Sequence, residues 1–230
     1  MQTNYLEWQP KLEMPLITQI TEQKRSPNRR NIFLDGVFAF GCNVNVVARF
    51  RLRDGMNLTS DEVEKIQLGE VKQECFDHAM RYIQTRLHGR VELQKKLMRR
   101  EYGKVIVDAV LDDLQRLNYV NDEAYATARA TSAAKHKHHG KRRAMAELLR
   151  KGVSRDVASR ALDQVYSTSD SLAVARALAQ KQSARLKRLD PHVARRRLVG
   201  MLQRRGFDYD TIKPVVDEVV GGIGTNDDLD

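Results

Sequence analysis

The chain has 230 residues, enough to bury a core, and carries 40 Lys and Arg against 30 Asp and Glu, a formal net charge of +10 with a pI near 9.7. With 41% hydrophobic and 30% charged residues, it suits a helical protein with much exposed surface, and its basic excess points to nucleic acid, an acidic partner or both. No apolar run approaches the ~20 residues of a membrane span, the start MQTNYLEWQPKLEMPL is no secretory signal, and Cys42 and Cys75 lack metal-ligand spacing and read as reduced residues of a cytoplasmic protein.

Residues 1–15 carry Pro10 and Pro15 without periodicity and read as a flexible arm, with Tyr5 and Trp8 in it. A short strand is expected from Ile17 to Lys24 and a turn at Ser26-Pro27-Asn28. Asn31–Leu34 and Val37–Phe40 form a hairpin around Asp35-Gly36, a pair that tolerates positive φ. Asn43 caps a short helix through Arg49, and Thr59-Ser60-Asp61-Glu62 opens another. Residues 16–68 are therefore expected to be a small module containing a β-hairpin.

From Glu70 the period becomes helical, with Phe76, Ala79, Met80, Ile83 and Leu87 on one face and His88-Gly89 as its end. Val91, Leu93, Leu97 and Met98 belong to the next helix, and Val107, Val110, Leu111 and Leu114 to a third. The pattern then restarts. Asn121-Asp122-Glu123 caps a helix with Ala124, Tyr125 and Ala128, followed by Gly140–Lys151 and by Ser154–Tyr166 with Ser154 as N-cap. Ser169-Asp170 starts a last unit whose first helix carries Leu172, Ala175, Leu178 and Ala179. Its second starts at Asp190-Pro191, and its third spans Tyr209–Val220. The tail, 221–230, is Gly-rich and acidic and is expected to be loose.

Glu101, Gly152 and Gly206 mark the register of this repetition, at a period of about fifty residues. Leu97, Leu148 and Leu202 stand four residues before the marks; Tyr102, Val153 and Phe207 follow them; Val107, Ala158 and Ile212 come six after. Lys151-Gly152 and Arg205-Gly206 are a basic residue and glycine ending a helix before a second amphipathic one. The fold expected is mainly α: three tandem three-helix repeats (70–120, 121–168 and 169–220) behind the β-containing module. Stacked helical modules of this kind form surfaces that grip something long.

Charge concentrates on the second helices: Arg90, Lys95, Lys96, Arg99 and Arg100; Lys141, Arg142, Arg143, Arg150 and Lys151; Arg195, Arg196, Arg197, Arg204 and Arg205. Between Lys135 and Arg160 the only acids are Glu147 and Asp156, and between Arg176 and Arg205 only Asp190. A single basic helix is ordinarily a solvated face; three in register point to phosphate or an acidic partner. No nucleotide-binding glycine loop, HExxH or CxxC is present. His136, His138 and His139 lack a nearby carboxylate or Cys and read as no metal site, and Asp112 and Asp113 read as solvent-facing. No catalytic residue, metal or cofactor is expected.

Together these residues resemble the RecX family, regulators of the bacterial recombinase RecA, across residues 16–220. The resemblance rests on Arg90–Leu97, on Leu117–Ala126 with Tyr119-Val120-Asn121-Asp122 ahead of Tyr125-Ala126, on Glu147–Val153, on Leu202–Asp208 and on the N-terminal Ile32–Phe40. In the first repeat Arg100-Glu101-Tyr102 replaces the family's turn of a basic residue, glycine and an aromatic residue, and a less sharp turn is expected there. What the resemblance implies is a non-enzymatic modulator that binds the RecA filament on single-stranded DNA; a monomer is expected. It would inhibit ATP hydrolysis and strand exchange in recombination, DNA repair and the SOS response, touching the DNA directly or through the filament. The alternative is a general nucleic-acid-binding protein that contacts phosphates through its basic helices.

Overall fold

A computed structural model describes residues 14–167 and 171–224. Tyr5 and Trp8 of the arm, the Ser169-Asp170 start and the acidic end of the tail lie outside them. Contacts divide the chain into two compact units: one holds the residues up to Thr85 with Gln94–Leu114, the other Arg86–Leu93 with the chain from Gln115 onward. Among the described residues, no helix is long and apolar enough to cross a membrane.

The first unit opens with a three-stranded antiparallel sheet in the order β1 (Ile17–Gln23), β2 (Ser26–Leu34), β3 (Val37–Asn43). Asp35 (φ 50°) and Gly36 (φ 81°) make the expected tight turn between β2 and β3. The other turn is Lys24-Arg25, not Ser26-Pro27-Asn28: Gln23 pairs with Ser26, and a register shift after Glu22 leaves Pro27 where the ladder needs no N–H. Ile17, Ile32, Leu34, Phe40 and Cys42 pack with Val46 of α1 (Val44–Phe50) and with Val63 and Ile66 of α2 (Ser60–Thr85). Asn43 caps α1 by accepting from Asn45 N, and Thr59 and Glu62 exchange hydrogen bonds in a capping box at the start of α2.

Helix α2 runs unbroken through Gly69, where the sequence suggested the edge of a module. Gly69 is a place of close approach: a Cβ there would lie 2.8 Å from the Phe50 ring. The inward line is Val63, Ile66, Glu70, Gln73 and Ala79, while Leu87 lies beyond the helix and is exposed. Buried Glu70 is satisfied by Arg29 at 2.8 Å and by the Asn43 N–H at 2.7 Å. The unit is completed by the C-terminal half of α3 (Arg90–Met98) and by α4 (Lys104–Arg116), with Leu97, Val107, Val110, Leu111 and Leu114 fully buried.

The second unit contains two three-helix clusters. In one, α5 (Asp122–Lys135), α6 (Lys141–Arg150) and α7 (Arg155–Ser167) bury Tyr125, Ala126, Ala130, Leu148 and Leu162. In the other, α8 (Ser171–Leu186), α9 (Pro191–Arg204) and α10 (Tyr209–Gly224) bury Ala175, Ala179, Leu198, Leu202, Phe207 and Val215. Asn121 and Asp190 cap α5 and α9 as expected. Helix α10 continues past Val220 to Gly224, into residues expected to be loose.

Candidate partner and nucleic-acid interface

Glu101, Gly152 and Gly206 share a left-handed backbone, with φ of 67°, 84° and 86°. The first repeat therefore keeps the sharp turn although its residue is not glycine. At the other two turns the chain is closely approached: a Cβ on Gly152 would lie 2.5 Å from the Val91 side chain, and one on Gly206 would overlap the backbone of Arg143. The α6 start, which has no side-chain cap, is instead satisfied by the end of α9: Gly140 N donates to Arg205 O at 2.8 Å and Arg142 N to Gly206 O at 3.2 Å.

Three basic positions recur in register on the second helices and the turns that follow them: Arg90, Lys141 and Arg195 early, then Arg99, Arg150 and Arg204 followed by Arg100, Lys151 and Arg205. The early position is structural. Lys141 Nζ sits 2.5 Å from Asp163 Oδ1, Arg195 pairs with Asp217, and Arg90 donates to Gln115 Oε1. Asp163 and Asp217 hold equal places on the third helices α7 and α10, so this cation ties second helix to third. Other candidates are also engaged. Arg143 donates to Arg204 O at 2.9 Å, and Arg205 donates to Lys137 O at 3.1 Å. Lys96 Nζ lies 4.4 Å above the Tyr82 ring, while Arg100 Nε donates to the Tyr82 hydroxyl at 3.0 Å and its Nη1 lies 2.7 Å from His78 Nε2. Burial and the neighbouring charges of Arg81 and Arg100 hold His78 below the ordinary imidazole range.

Lys95, Arg99, Arg142, Arg150, Lys151, Arg196, Arg197 and Arg204 are exposed, and among the described residues their side chains make no ion pair or hydrogen bond. These cations are available to an outside anion. Sequence reasoning missed two neighbours of Arg150 and Lys151: Arg129 and Lys137, which with Ser132, Ala133, Ala144, Glu147 and Leu148 line a cavity of about 360 Å³. The signal was present in the i, i+3, i+4 spacing of Arg129, Ser132 and Ala133, which sets a cation beside small residues on one helix face.

Glu147 lies 3.1 Å from Lys137 Nζ and 3.9 Å from Arg143 Nε. Burial pushes its carboxyl up, but Lys137, His139 and Arg143 outweigh that and leave it below the usual range. His139 Nδ1 is 3.1 Å from Glu147 Oε1 without hydrogen-bond geometry. In the first unit the thiols of Cys42 and Cys75 are buried, and burial pushes them up to about 12 and about 11, so neither supplies a thiolate at neutral pH.

Four segments match domain families of one protein: residues 15–59 the regulatory protein RecX N-terminal domain, and residues 75–114, 121–162 and 169–216 the first, second and third RecX three-helix domains. The chain belongs to the RecX family. It is 29% identical to the regulatory protein RecX of Bacillus subtilis over 90% of this chain and 78% of that one, and 25% identical to that of Listeria monocytogenes over 93% and 79%. Its fold matches a crystal structure of regulatory protein RecX with a TM-score of 0.79, covering 88% of this chain and 99% of the other at 24% identity. A second, RecX from Lactobacillus salivarius, matches with a TM-score of 0.59 over 66% and 97% at 21% identity.

The RecX-like stretch Leu117–Ala126 has a physical role. Asp122 accepts from Arg90 N at 2.8 Å, capping α3 from another helix. Tyr125, 1% exposed, donates its hydroxyl to Glu92 at 3.1 Å, and its ring packs where a Cβ on Gly89 would lie 3.0 Å away.

Proposed function

We propose that this RecX-family chain binds the filament of the recombinase RecA on single-stranded DNA and inhibits its ATP hydrolysis and strand exchange, acting by occupancy as a monomer. The observation that carries the reading is the set of cations without an ion pair or hydrogen bond among the described residues at the turn of every repeat: Arg99, then Arg150 with Lys151, then Arg204. A filament presents the same anionic features at a fixed pitch. Three turns of the same geometry, each with an unsatisfied guanidinium or ammonium group, meet such a periodic surface with several weak contacts that act together. The curated relatives are named as regulatory proteins, in keeping with a binder. The two thiols are held protonated by burial, so neither serves as a nucleophile.

The test is single-strand-dependent ATP hydrolysis by the recombinase, titrated with the purified chain at concentrations too low to coat the DNA. Inhibition there supports the proposal. Inhibition that begins only once the naked strand is saturated identifies a general nucleic-acid-binding protein and overturns it.

A further inference from the structure

We propose that the cavity of the second repeat is a nucleotide pocket, taking one base of a single strand inside and the flanking phosphates on its cationic rim. The inference rests on single-stranded DNA being a partner, as proposed above.

Counted from Glu101 and Gly152, His78, Tyr82, Lys96 and Arg100 of the first repeat stand at the positions of Arg129, Ala133, Glu147 and Lys151 of the second. The first repeat holds an aromatic ring of its own among these residues. Tyr82 lies with Lys96 Nζ 4.4 Å and Arg100 Cζ 5.9 Å from its ring centroid, and its hydroxyl is bonded to Arg100. The second repeat has Ala133 in place of that tyrosine. Its side chain stops at Cβ, and about 360 Å³ of open space remains at the corresponding place. That volume lies within the ordinary range of small-molecule pockets.

The lining fits a nucleotide. Ala133, Ala144 and Leu148, each 2% exposed or less, close the cavity at its base and leave only a small apolar area for the edge of a planar ring. Arg129, Lys137, Arg150 and Lys151 surround it with charge, against the single carboxylate of Glu147. Guanidinium groups stack on bases and also hold phosphates, so they serve both halves of the ligand. Glu147, kept ionised by its basic neighbours, is an acceptor for an exocyclic amine, and the Ser132 hydroxyl both donates and accepts. An acidic peptide fits less well: its carboxylates would leave that apolar area uncovered and meet Glu147 as like charges.

The experiment measures binding of a fluorescent mixed-sequence 20-mer and of an abasic strand with the same number of phosphates, at matched salt. The parent chain is expected to bind the intact strand about tenfold tighter, in line with one stacked base. Ala133→Met fills the space without changing charge; it should abolish that ratio while keeping the salt dependence of the abasic strand. Arg150→Gln with Lys151→Gln alters exposed positions only, and should lower the slope of log affinity against log salt by about 1.4, at about 0.7 for each phosphate contact on a single strand. Should Ala133→Met fail to fold by circular dichroism, the parent ratio and the Gln pair decide. Equal affinity for the two strands overturns the pocket. So does displacement of the strand by free ATP, or by poly-glutamate, at lower concentration than by unlabelled 20-mer. Recombinase inhibition is measured in parallel. A parent that prefers the intact strand but does not inhibit retains the pocket and loses the proposed function, whereas a parent that inhibits with equal strand affinities does the reverse.

Discussion

Glu101 occupies a left-handed backbone position at φ 67°, where Gly152 and Gly206 stand in the other two repeats. A side chain in that conformation costs about 1–2 kcal/mol, whereas glycine costs about 0.4–1 kcal/mol through the freedom it adds to the unfolded chain. The first term is larger, so Glu101→Gly is expected to stabilise the protein by about 0.5–1 kcal/mol; an unchanged or lower melting temperature would contradict this. Glu92 makes a second residue-scale prediction. The Arg86 guanidinium at 2.5 Å, helped by the Tyr125 hydroxyl, holds its carboxyl at about 2 against an ordinary 4.5. A depressed carboxyl contributes stability that is complete above its unfolded value and is lost as pH falls from about 4.5 towards 2. Glu92→Gln should therefore melt earlier than the parent at pH 7, with the gap closing across that acid range. A gap independent of pH would show that the charge is not the cause. Neither role could be read from the chain: a glutamate at a glycine position signals departure from a pattern, and only the backbone angle shows that the turn is kept.

Elements whose packing is local were legible, and those completed from elsewhere were not. Asn43, Asn121, Ser154 and Asp190 announce helix starts because each bonds N–H groups two or three residues on. The starts of α3 and α6 carry no such signal, since their N–H groups are satisfied by Asp122 and by the carbonyls of Arg205 and Gly206, far away in sequence. The boundary expected between residues 68 and 70 was not legible either: α2 runs through it, and the missing side chain of Gly69 admits the Phe50 ring. The apolar register of the second helices was legible: Leu97, Leu148 and Leu202 are 0%, 2% and 0% exposed. Each truncation to Ala leaves a cavity, so each is expected to cost about 2–5 kcal/mol in denaturant unfolding. Negligible shifts for all three would mean that these leucines do not anchor their helices.

At the scale of the whole molecule, the basic excess divides into cations that hold the fold and cations that face outward, a division invisible to charge counting. Lys141 and Arg195 look like their neighbours in sequence, and only the positions of Asp163 and Asp217 on the third helices show that they are occupied. Arg142, Arg150, Lys151, Arg196, Arg197 and Arg204 have no such partner among the described residues. Two sets of substitutions therefore separate the roles. Lys141→Ala with Arg195→Ala removes exposed pairs worth about 0–1 kcal/mol each, and should lower the melting temperature slightly while leaving inhibition of the recombinase near the parent level. Replacing Arg142, Arg150 and Lys151 together by Ala, or Arg196, Arg197 and Arg204 together, touches no ion pair among the described residues. Stability should hold while inhibition weakens by about an order of magnitude, since each loss removes one attachment from a multivalent contact. The salt dependence separates the partners. Each phosphate contact on a single strand contributes about 0.7 to the slope of log affinity against log salt, so either triple variant should lose about 2 from the slope on naked DNA if its cations meet phosphate. An unchanged slope on DNA with weakened inhibition on the filament assigns them to acidic groups of the recombinase. Both triple variants inhibiting like the parent would make these helices a solvated face only.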